Sequence, residues 1–273
     1  VSGSSSPMER FGLAGPTATL RAVGAERLAY NRVPKSGSRA MRLLIRRLGR
    51  VNGFSVDDHN ERYHPNASLL KQHFVALPAD TVYINHANFW EAKDTSLSWM
   101  NVLRDPIERY SSLFYYNVDP VMRSIGKAHQ SLRMRERWGA CGCAGMEFDS
   151  CARVWRQENC SQGFFAPHQT TAGLQPQWDY FCLPAELNCT VELAEERMLS
   201  QYAVIGLTEE FGLTLQLLEI KLPRWFANAY KIYQEAPSEH ATPFSNSLTK
   251  TTMAGAVTNE AREILRRLPL FQD

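Results

Sequence analysis

A lysine, two serines and a glycine lie together in the stretch NRVPKSGSR, between an apolar run and an arginine-rich run with helical spacing. Backbone N–H groups at a helix start, hydroxyl groups and an ammonium group together bind phosphate or sulfate. The stretch therefore predicts an anion site, whose residues are Lys35, Ser36, Gly37, Ser38 and Arg39. The simpler alternative is a turn in which Gly37 provides backbone freedom and Ser36 or Ser38 caps the helix.

Two further polar clusters follow apolar runs that are typical of buried strands. His86 follows TVYIN, and Arg104 follows SWMNVL, with Ser112 in the helix after it. Taken singly, each has an ordinary alternative: a solvated lysine, a structural histidine, or an Arg-Asp-Pro that opens a helix. Because the carboxyl ends of parallel strands meet at one edge, where ligands bind, we expect the clusters to form one site.

The elements that must position these residues alternate between strand and helix, which favours an α/β fold: a single domain with a central, mainly parallel sheet flanked by helices. We expect residues 1–25 to be a linker or expression remnant and 26–273 to be the domain. Pro106 should open a helix, and Thr208 should cap another. The predicted strands lie near 27–33, 81–85, 98–105 and 201–207, and the first helix runs to about 49. We expect the strand at 81–85 to lie beside the strand at 98–105.

Composition excludes some function classes. A net charge of +2 over 273 residues is too small to indicate a nucleic-acid binder. The apolar runs are shorter than the roughly 20 residues that a membrane span needs. We therefore expect a globular chain without a signal peptide, whose membrane anchor, if it has one, lies outside this sequence.

All six cysteines lie between residues 141 and 189. Their spacing fits a zinc site poorly, and their even number favours disulfides. Three Asn-x-Ser/Thr sequons point to the same oxidising compartment, namely the lumen or the cell exterior. The sequons begin at Asn66, Asn159 and Asn188.

NRVPKSGSR and VLRDPIERYSSLFYY resemble the two nucleotide-binding motifs of sulfotransferases that use 3′-phosphoadenosine 5′-phosphosulfate (PAPS). The sequence is most similar to the hexuronyl 2-O-sulfotransferases of glycosaminoglycan synthesis, from about residue 28 to the end, through FDSC, YFC, VIGLTEE and LPRWF. GSR and NGF favour the uronyl branch, which acts on chondroitin and dermatan sulfate, whereas PK is shared with the heparan sulfate branch.

The resemblance implies a P-loop-like sulfotransferase fold, PAPS as donor, PAP as product and no metal. Lys35 would stabilise charge on the leaving phosphate, and the Ser36–Arg39 backbone would hold the 5′-phosphate. Arg104 and Ser112 would hold the 3′-phosphate. It further implies an enzyme of the Golgi lumen, anchored as a type II membrane protein when complete, and a homotrimer.

His86 matches the family's catalytic histidine and would take the proton from a uronic acid 2-hydroxyl. His240 is the competing candidate, because the family also has a histidine in that later loop. The anionic polysaccharide acceptor needs cations, for which the segment 123–137 is the best candidate, although it could equally be a solvated helical face. The acceptor-binding candidates are Arg123, Arg133, Arg135, Arg137 and His240.

Two other function classes fit the same motifs. One is a PAPS-dependent enzyme that acts on another glycan hydroxyl or on tyrosine, and the other is a catalytically silent glycan-binding relative. The presence of Lys35, His86 and Arg104 argues against the silent relative. We also predict disulfides Cys151–Cys160 and Cys182–Cys189, each closing a short loop, and leave Cys141 and Cys143 open.

Overall fold

The fold is described from a computed structural model. It describes residues 26–58, 72–74, 76–91, 96–118, 146–158, 176–183, 186, 188–235 and 257–267. These residues form two compact units. The first contains the described residues up to Leu103 and from Gln177 to Glu235, and the second contains those from Arg104 to Pro176 and from 257 onward.

A five-stranded sheet forms the centre of the first unit. The strand order is β2-β3-β1-β4-β5, and every pairing is parallel. The predicted α/β fold with a parallel sheet is therefore confirmed. The strands are β1 (Arg27–Asn31), β2 (Ser55–Asp57), β3 (Thr81–Asn85), β4 (Leu97–Leu103) and β5 (Tyr202–Leu207).

Helix α1 (Ser38–Asn52) follows β1 and packs on one face of the sheet. Its apolar residues recur at helical spacing, so that one side of the helix is buried and the other carries arginines. The buried side includes Met41, Leu44, Ile45 and Leu48, which join Leu28 and Tyr30 of β1 in one core cluster.

The other helices of the first unit complete both layers around the sheet. α5 and α6 share the apolar cluster with α1, while aromatic residues such as Phe89, Trp99 and Tyr180 fill the opposite face. The bounds are α4 (Val191–Gln201), α5 (Phe211–Lys221), α6 (Pro223–Phe226) and α7 (Ala229–Gln234), with a short 3₁₀ helix at Trp178–Phe181.

The second unit is helical where it is described. Its elements are α2 (Pro106–Val118), α3 (Phe148–Glu158) and α8 (Asn259–Arg266). Pro106 opens α2, as the sequence predicted. Asp149 accepts a hydrogen bond from the Thr258 backbone N–H, and Arg153 pairs with Glu260 at 3.0 Å, so α3 and α8 are joined at two points.

Two expectations about the first unit were wrong, and one strand was missed. Thr208 does not cap α5, because its hydroxyl donates to the Leu103 carbonyl at 2.9 Å and Glu210 stands at the N-cap. The short strand β2 was not predicted. β3 was expected beside β4, but β1 lies between them. None of the described helices combines the length and apolar character needed to cross a membrane.

Candidate active site

The turn between β1 and α1, which contains Lys35 and is called the lysine turn below, has an unusual backbone. Lys35 has φ 68° and Gly37 has φ 64°, so two residues of this short turn are left-handed. Glycine adopts this conformation at little cost, but for lysine it costs of order 1–3 kcal/mol, and such residues cluster at functional sites. Ser36 between them is fully buried and donates to Oε1 of Gln177 at 3.1 Å. Contacts with the surrounding structure thus hold the Lys35 backbone in a left-handed conformation that is unfavourable for lysine.

The start of α1 carries no cap. Gly37 is the N-cap residue, there is no side-chain cap hydrogen bond, and the first turn contains no acidic residue. The alternative in which Ser36 or Ser38 caps the helix is therefore wrong. A Cβ on Gly37 would lie 3.4 Å from Thr208 Cγ2, so the glycine keeps this side of the turn narrow. The N–H dipoles of this helix start, the Ser38 hydroxyl and a lysine are groups that fit the phosphate of PAPS.

Arg32 is a site residue that sequence reasoning missed. It is 8% exposed, and its Nη2 lies 3.5 Å from Ser38 Oγ, at the first residue of α1. Its backbone N–H donates to the Asn85 carbonyl at 2.7 Å, which ties the end of β1 to the end of β3. Its position directly after β1, like that of His86 directly after β3, was the available signal.

His86 is held with one ring nitrogen toward the backbone. Nδ1 lies 2.8 Å from the Arg32 carbonyl oxygen, and because a carbonyl can only accept, Nδ1 must carry the proton. Nε2 of the neutral ring is then an unprotonated base. Burial, followed by the charge of Arg32, lowers the pKa of His86 from 6.5 to about 4, against the opposing effect of the carbonyl bond. The ring is therefore neutral at physiological pH.

Two buried asparagine side chains join β1 to β4, next to the lysine turn. Asn101 Nδ2 donates to the Asn31 carbonyl at 2.6 Å and to Asn31 Oδ1 at 2.9 Å, and Asn31 Nδ2 donates to the Tyr180 carbonyl at 2.9 Å. Both asparagines are fully buried. Since the amides bond mainly to one another and to backbone, they fix β1 against β4 directly before the lysine turn.

Arg104 and Ser112 belong to the second unit. Arg104 Nη2 lies 3.5 Å from Glu108 Oε2, one turn further along α2, and Glu108 also pairs with Arg262 of α8. Arg262 lies 3.4 Å from Asp105 as well. Ser112 is half-buried on α2. Their assignment to a 3′-phosphate thus stays a prediction.

Several predicted residues lie outside the part of the chain that the structure describes. They are the acceptor candidates Arg123, Arg133, Arg135, Arg137 and His240, the sequons Asn66 and Asn159, and Cys141, Cys143 and Cys160. Cys151 is buried and disulfide-bonded. Its predicted pairing with Cys160 stays a prediction.

The predicted disulfide Cys182–Cys189 is present, with the Cα atoms 5.9 Å apart. The two sulfurs and a Glu186 carboxylate oxygen lie within 4.8 Å of one another, close enough to bind a metal ion. However, the sulfurs are bonded to each other, and Glu186 pairs with Arg197 at 2.6 Å. This cluster is therefore structural rather than a metal centre. Asn188 beside it is exposed, as a glycosylation acceptor must be.

Comparisons with known proteins show which family the chain belongs to. The sequence matches the Sulfotransferase family over residues 20–268. It is 26% identical to the uronyl 2-sulfotransferase homolog pip of Drosophila melanogaster over 263 residues, covering 87% of this chain and 48% of the relative. It is 25% and 27% identical to heparan sulfate 2-O-sulfotransferase 1 of Xenopus laevis and Gallus gallus, each match covering 90% of this chain and 66% of the relative.

The chain thus spans about half to two thirds of the length of these relatives. The match to the family extends over most of the sequence and includes the lysine turn, His86 and Arg104. The five-stranded parallel sheet flanked by helices is consistent with the fold of this family. The chain therefore belongs to the Sulfotransferase family.

Proposed function

We propose that this protein transfers a sulfuryl group from PAPS to the 2-hydroxyl of a uronic acid residue in a glycosaminoglycan. Relatives named for uronyl and heparan sulfate 2-O-sulfation support this acceptor class. Chondroitin or dermatan sulfate is slightly favoured over heparan sulfate, because GSR and NGF resemble the uronyl branch. The observation that carries the proposal is His86, a neutral histidine with Nε2 available, whose ring is fixed by the backbone of the strand that leads into the lysine turn.

The residues after β1 would bind the donor. The uncapped N–H groups of α1 and the hydroxyl of Ser38 would hold the 5′-phosphate, while Lys35 would face the bridging oxygen. Arg39, next along α1, would add positive charge, and Arg104 and Ser112 are proposed for the 3′-phosphate. PAPS, when bound, supplies an activated sulfuryl group. Lys35 would stabilise the negative charge that develops on the leaving phosphate oxygen.

His86 would act on the acceptor. Its Nε2 would accept the proton of the sugar hydroxyl, while the Nδ1 hydrogen bond to the Arg32 carbonyl keeps the ring in the tautomer required for this step. That carbonyl also partly offsets the loss of basicity caused by burial. The tautomer is thus set by a backbone atom, so no side-chain substitution at Arg32 can remove it directly.

The setting of the reaction is proposed from the family resemblance. A glycosaminoglycan acceptor places the enzyme in the Golgi lumen, as a type II membrane protein in its full-length form and as a homotrimer. The disulfide Cys182–Cys189 agrees with an oxidising compartment. The acceptor contacts assigned to Arg123, Arg133, Arg135, Arg137 and His240 belong to this proposal.

The test is transfer of labelled sulfate from PAPS to a panel of acceptors. The panel contains chondroitin, dermatan sulfate, N-sulfated heparosan and a tyrosine-containing peptide, and disaccharide analysis locates the label. We expect label on uronic acid O2, and none with Lys35→Ala protein. Label on another hydroxyl or on tyrosine would replace this acceptor assignment. Thermal stabilisation by PAP without any transfer would indicate the silent glycan-binding relative.

A further inference from the structure

The exposed side of α1 carries a row of arginines beyond the proposed phosphate site. Arg42, Arg46 and Arg50 are spaced four residues apart. At this spacing they fall within an arc of about 80° and extend over about 12 Å of the helix axis. The helix contains no acidic residue, and its opposite side is buried in the core. These three residues are named the arginine strip.

One carboxylate orients the near half of the strip. Asp58, directly after β2, accepts from Nε of Arg42 at 2.6 Å and from Nε of Arg46 at 2.5 Å. The Asp58 side chain is 5% exposed, whereas that of Arg46 is 46% exposed. Because Asp58 contacts Nε, the terminal nitrogens of Arg46 remain for another anion. Within the described ranges no carboxylate pairs with Arg50, so the strip keeps a net positive charge.

An open groove of about 480 Å³ runs beside the far half of the strip. Its walls combine charged and apolar groups, and its lining residues are Arg46, Gly49, Arg50, Phe54, Val56 and Asp58. A Cβ on Gly49 would lie 2.9 Å from Val56, so glycine is required where α1 approaches β2. Sugar rings have apolar C–H faces and polar edges, and an apolar floor with arginines at its rim suits an anionic sugar.

The strip begins near the proposed base. Arg42 pairs at 2.6 Å with Asp58, which directly follows β2, and β2 lies parallel beside β3, which His86 directly follows. From Arg42 the strip leads along α1 to Arg46 and Arg50, away from the start of the helix. A chain with one sugar at His86 can therefore continue along this face.

We propose that the arginine strip and its groove bind the part of an anionic polysaccharide that extends beyond the reacting sugar. This inference rests on the proposed function, since it takes the acceptor to be a sulfated or carboxylated polysaccharide. The contacts are ionic and lie away from the reacting atoms. The strip therefore affects how long acceptors bind and not the chemical step.

The test compares long and short acceptors in the variant Arg46→Gln/Arg50→Gln. The polysaccharide that wild-type protein sulfates best is compared with a tetrasaccharide of the same repeat. We expect kcat/KM for the polysaccharide to fall roughly tenfold through KM, with a clearly smaller loss for the tetrasaccharide. Affinity for the polysaccharide, measured in the presence of PAP, should fall in parallel. Its dependence on salt should flatten by about two counterions, following the rule known for nucleic acids.

The matched control is Lys221→Gln/Lys231→Gln, which removes two charges from other helices of the same unit. It should leave the length dependence and the salt slope unchanged. Equal losses of kcat/KM for both acceptors, or equal effects of both double variants, would refute polysaccharide binding by the arginine strip. The proposed function would remain intact. Binding of the strip to phosphatidylserine vesicles in place of polysaccharide would also overturn it. If wild-type protein neither binds nor sulfates any glycosaminoglycan, the proposed function itself fails.

Discussion

The starts of α1 and α4 show two opposite ways to begin a helix in the same unit. α4 is closed: Thr190 accepts from the Leu193 N–H at 3.3 Å, and Glu192 lies in its first turn. The start of α1 is open, with a left-handed glycine at the N-cap, no side-chain cap and no acid. A closed start serves stability, since a capping side chain is worth about 1 kcal/mol.

The open start gives up that stabilisation and adds the left-handed Lys35. The start of α1 thereby presents the positive end of the helix dipole, which favours a bound anion. α2 and α8 are also closed, by Asp105 and Thr258, whereas α5, α6 and α7 begin without a side-chain cap. An uncapped start is therefore not enough to mark a binding site, and what distinguishes α1 is the left-handed Lys35 just before its N-cap, where the donor is proposed to bind.

The largest effect is expected at the open start. Lys35→Ala should lower turnover by ~10³-fold or more, because the cation that stabilises the leaving group is lost. Lys35→Gly should be equally inactive but more stable than Lys35→Ala by about 1 kcal/mol, since glycine relieves the left-handed strain. Labelled-sulfate transfer and urea unfolding measure the two quantities. Normal turnover in either variant would refute the role of Lys35.

His86 extends the comparison to the strand beside that turn. His86→Ala should lose ~10²–10⁴-fold in turnover, as expected when a general base is removed. PAP affinity should barely change, because the imidazole is assigned to the acceptor. His73→Gln is the matched control, as this histidine pairs with Asp57 at 2.6 Å and is assigned no role. Near-normal turnover of His86→Ala, with a collapse in His240→Ala, would move the base to the later loop.

The lowered pKa of His86 adds a pH dependence. The unfolded histidine takes up a proton near pH 6.5 and the folded one only near pH 4, so the unfolded state binds more protons between these values. Stability should therefore be complete above pH 6.5 and fall by roughly 3 kcal/mol as the pH drops to 4. The acidic limb of kcat/KM should likewise lie near pH 4 and disappear in His86→Ala.

Comparison of urea unfolding for wild-type and His86→Gln protein isolates this contribution. The variant should lose the part of the acid destabilisation that the histidine causes, while other groups titrate as before. An identical pH dependence in the two proteins would show that His86 titrates normally. That result would contradict the lowered pKa of His86. It would not affect the assignment of the tautomer, which depends on the hydrogen bond to the Arg32 carbonyl.

The smallest effect belongs to the closed start. Thr190→Ala should cost about 1 kcal/mol of unfolding free energy, because the Leu193 N–H loses its acceptor. Transfer should be unchanged, in contrast to Lys35→Ala. The substitution also removes the sequon at Asn188, so the measurement uses unglycosylated protein, with Asn188→Gln as control. A loss of transfer in Thr190→Ala would contradict the view that the start of α4 contributes to stability only.

Local patterns predicted much of the fold. The apolar run before the lysine turn became β1, the amphipathic run after it became α1, and Pro106 opened α2. These signals depend on neighbouring residues only. β2 was missed because three residues give too little periodicity, and the neighbour of β3 was wrong because strand order is set by pairing between distant segments.

The candidate site was predicted less completely. Lys35 and His86 were found because they follow apolar strands directly. Arg32 was overlooked because its burial and its carbonyl contact with His86 depend on two strands meeting in register. Gln177 was missed for the same reason, since its bond to Ser36 joins residues 141 positions apart. A sequence pattern can identify a chemical group, but not the distant backbone that orients it.

The buried pair Asn31 and Asn101 also has a consequence for assembly of the chain. The two amides meet across strands although they stand 70 positions apart in sequence. A slip of one residue between β1 and β4 would turn one amide to the opposite face and leave polar groups unpaired in an apolar interior. Each unpaired group would cost about 1–3 kcal/mol, so a misaligned sheet would be less stable than the native one. The pair thus favours a single register between β1 and β4 over the registers shifted by one residue.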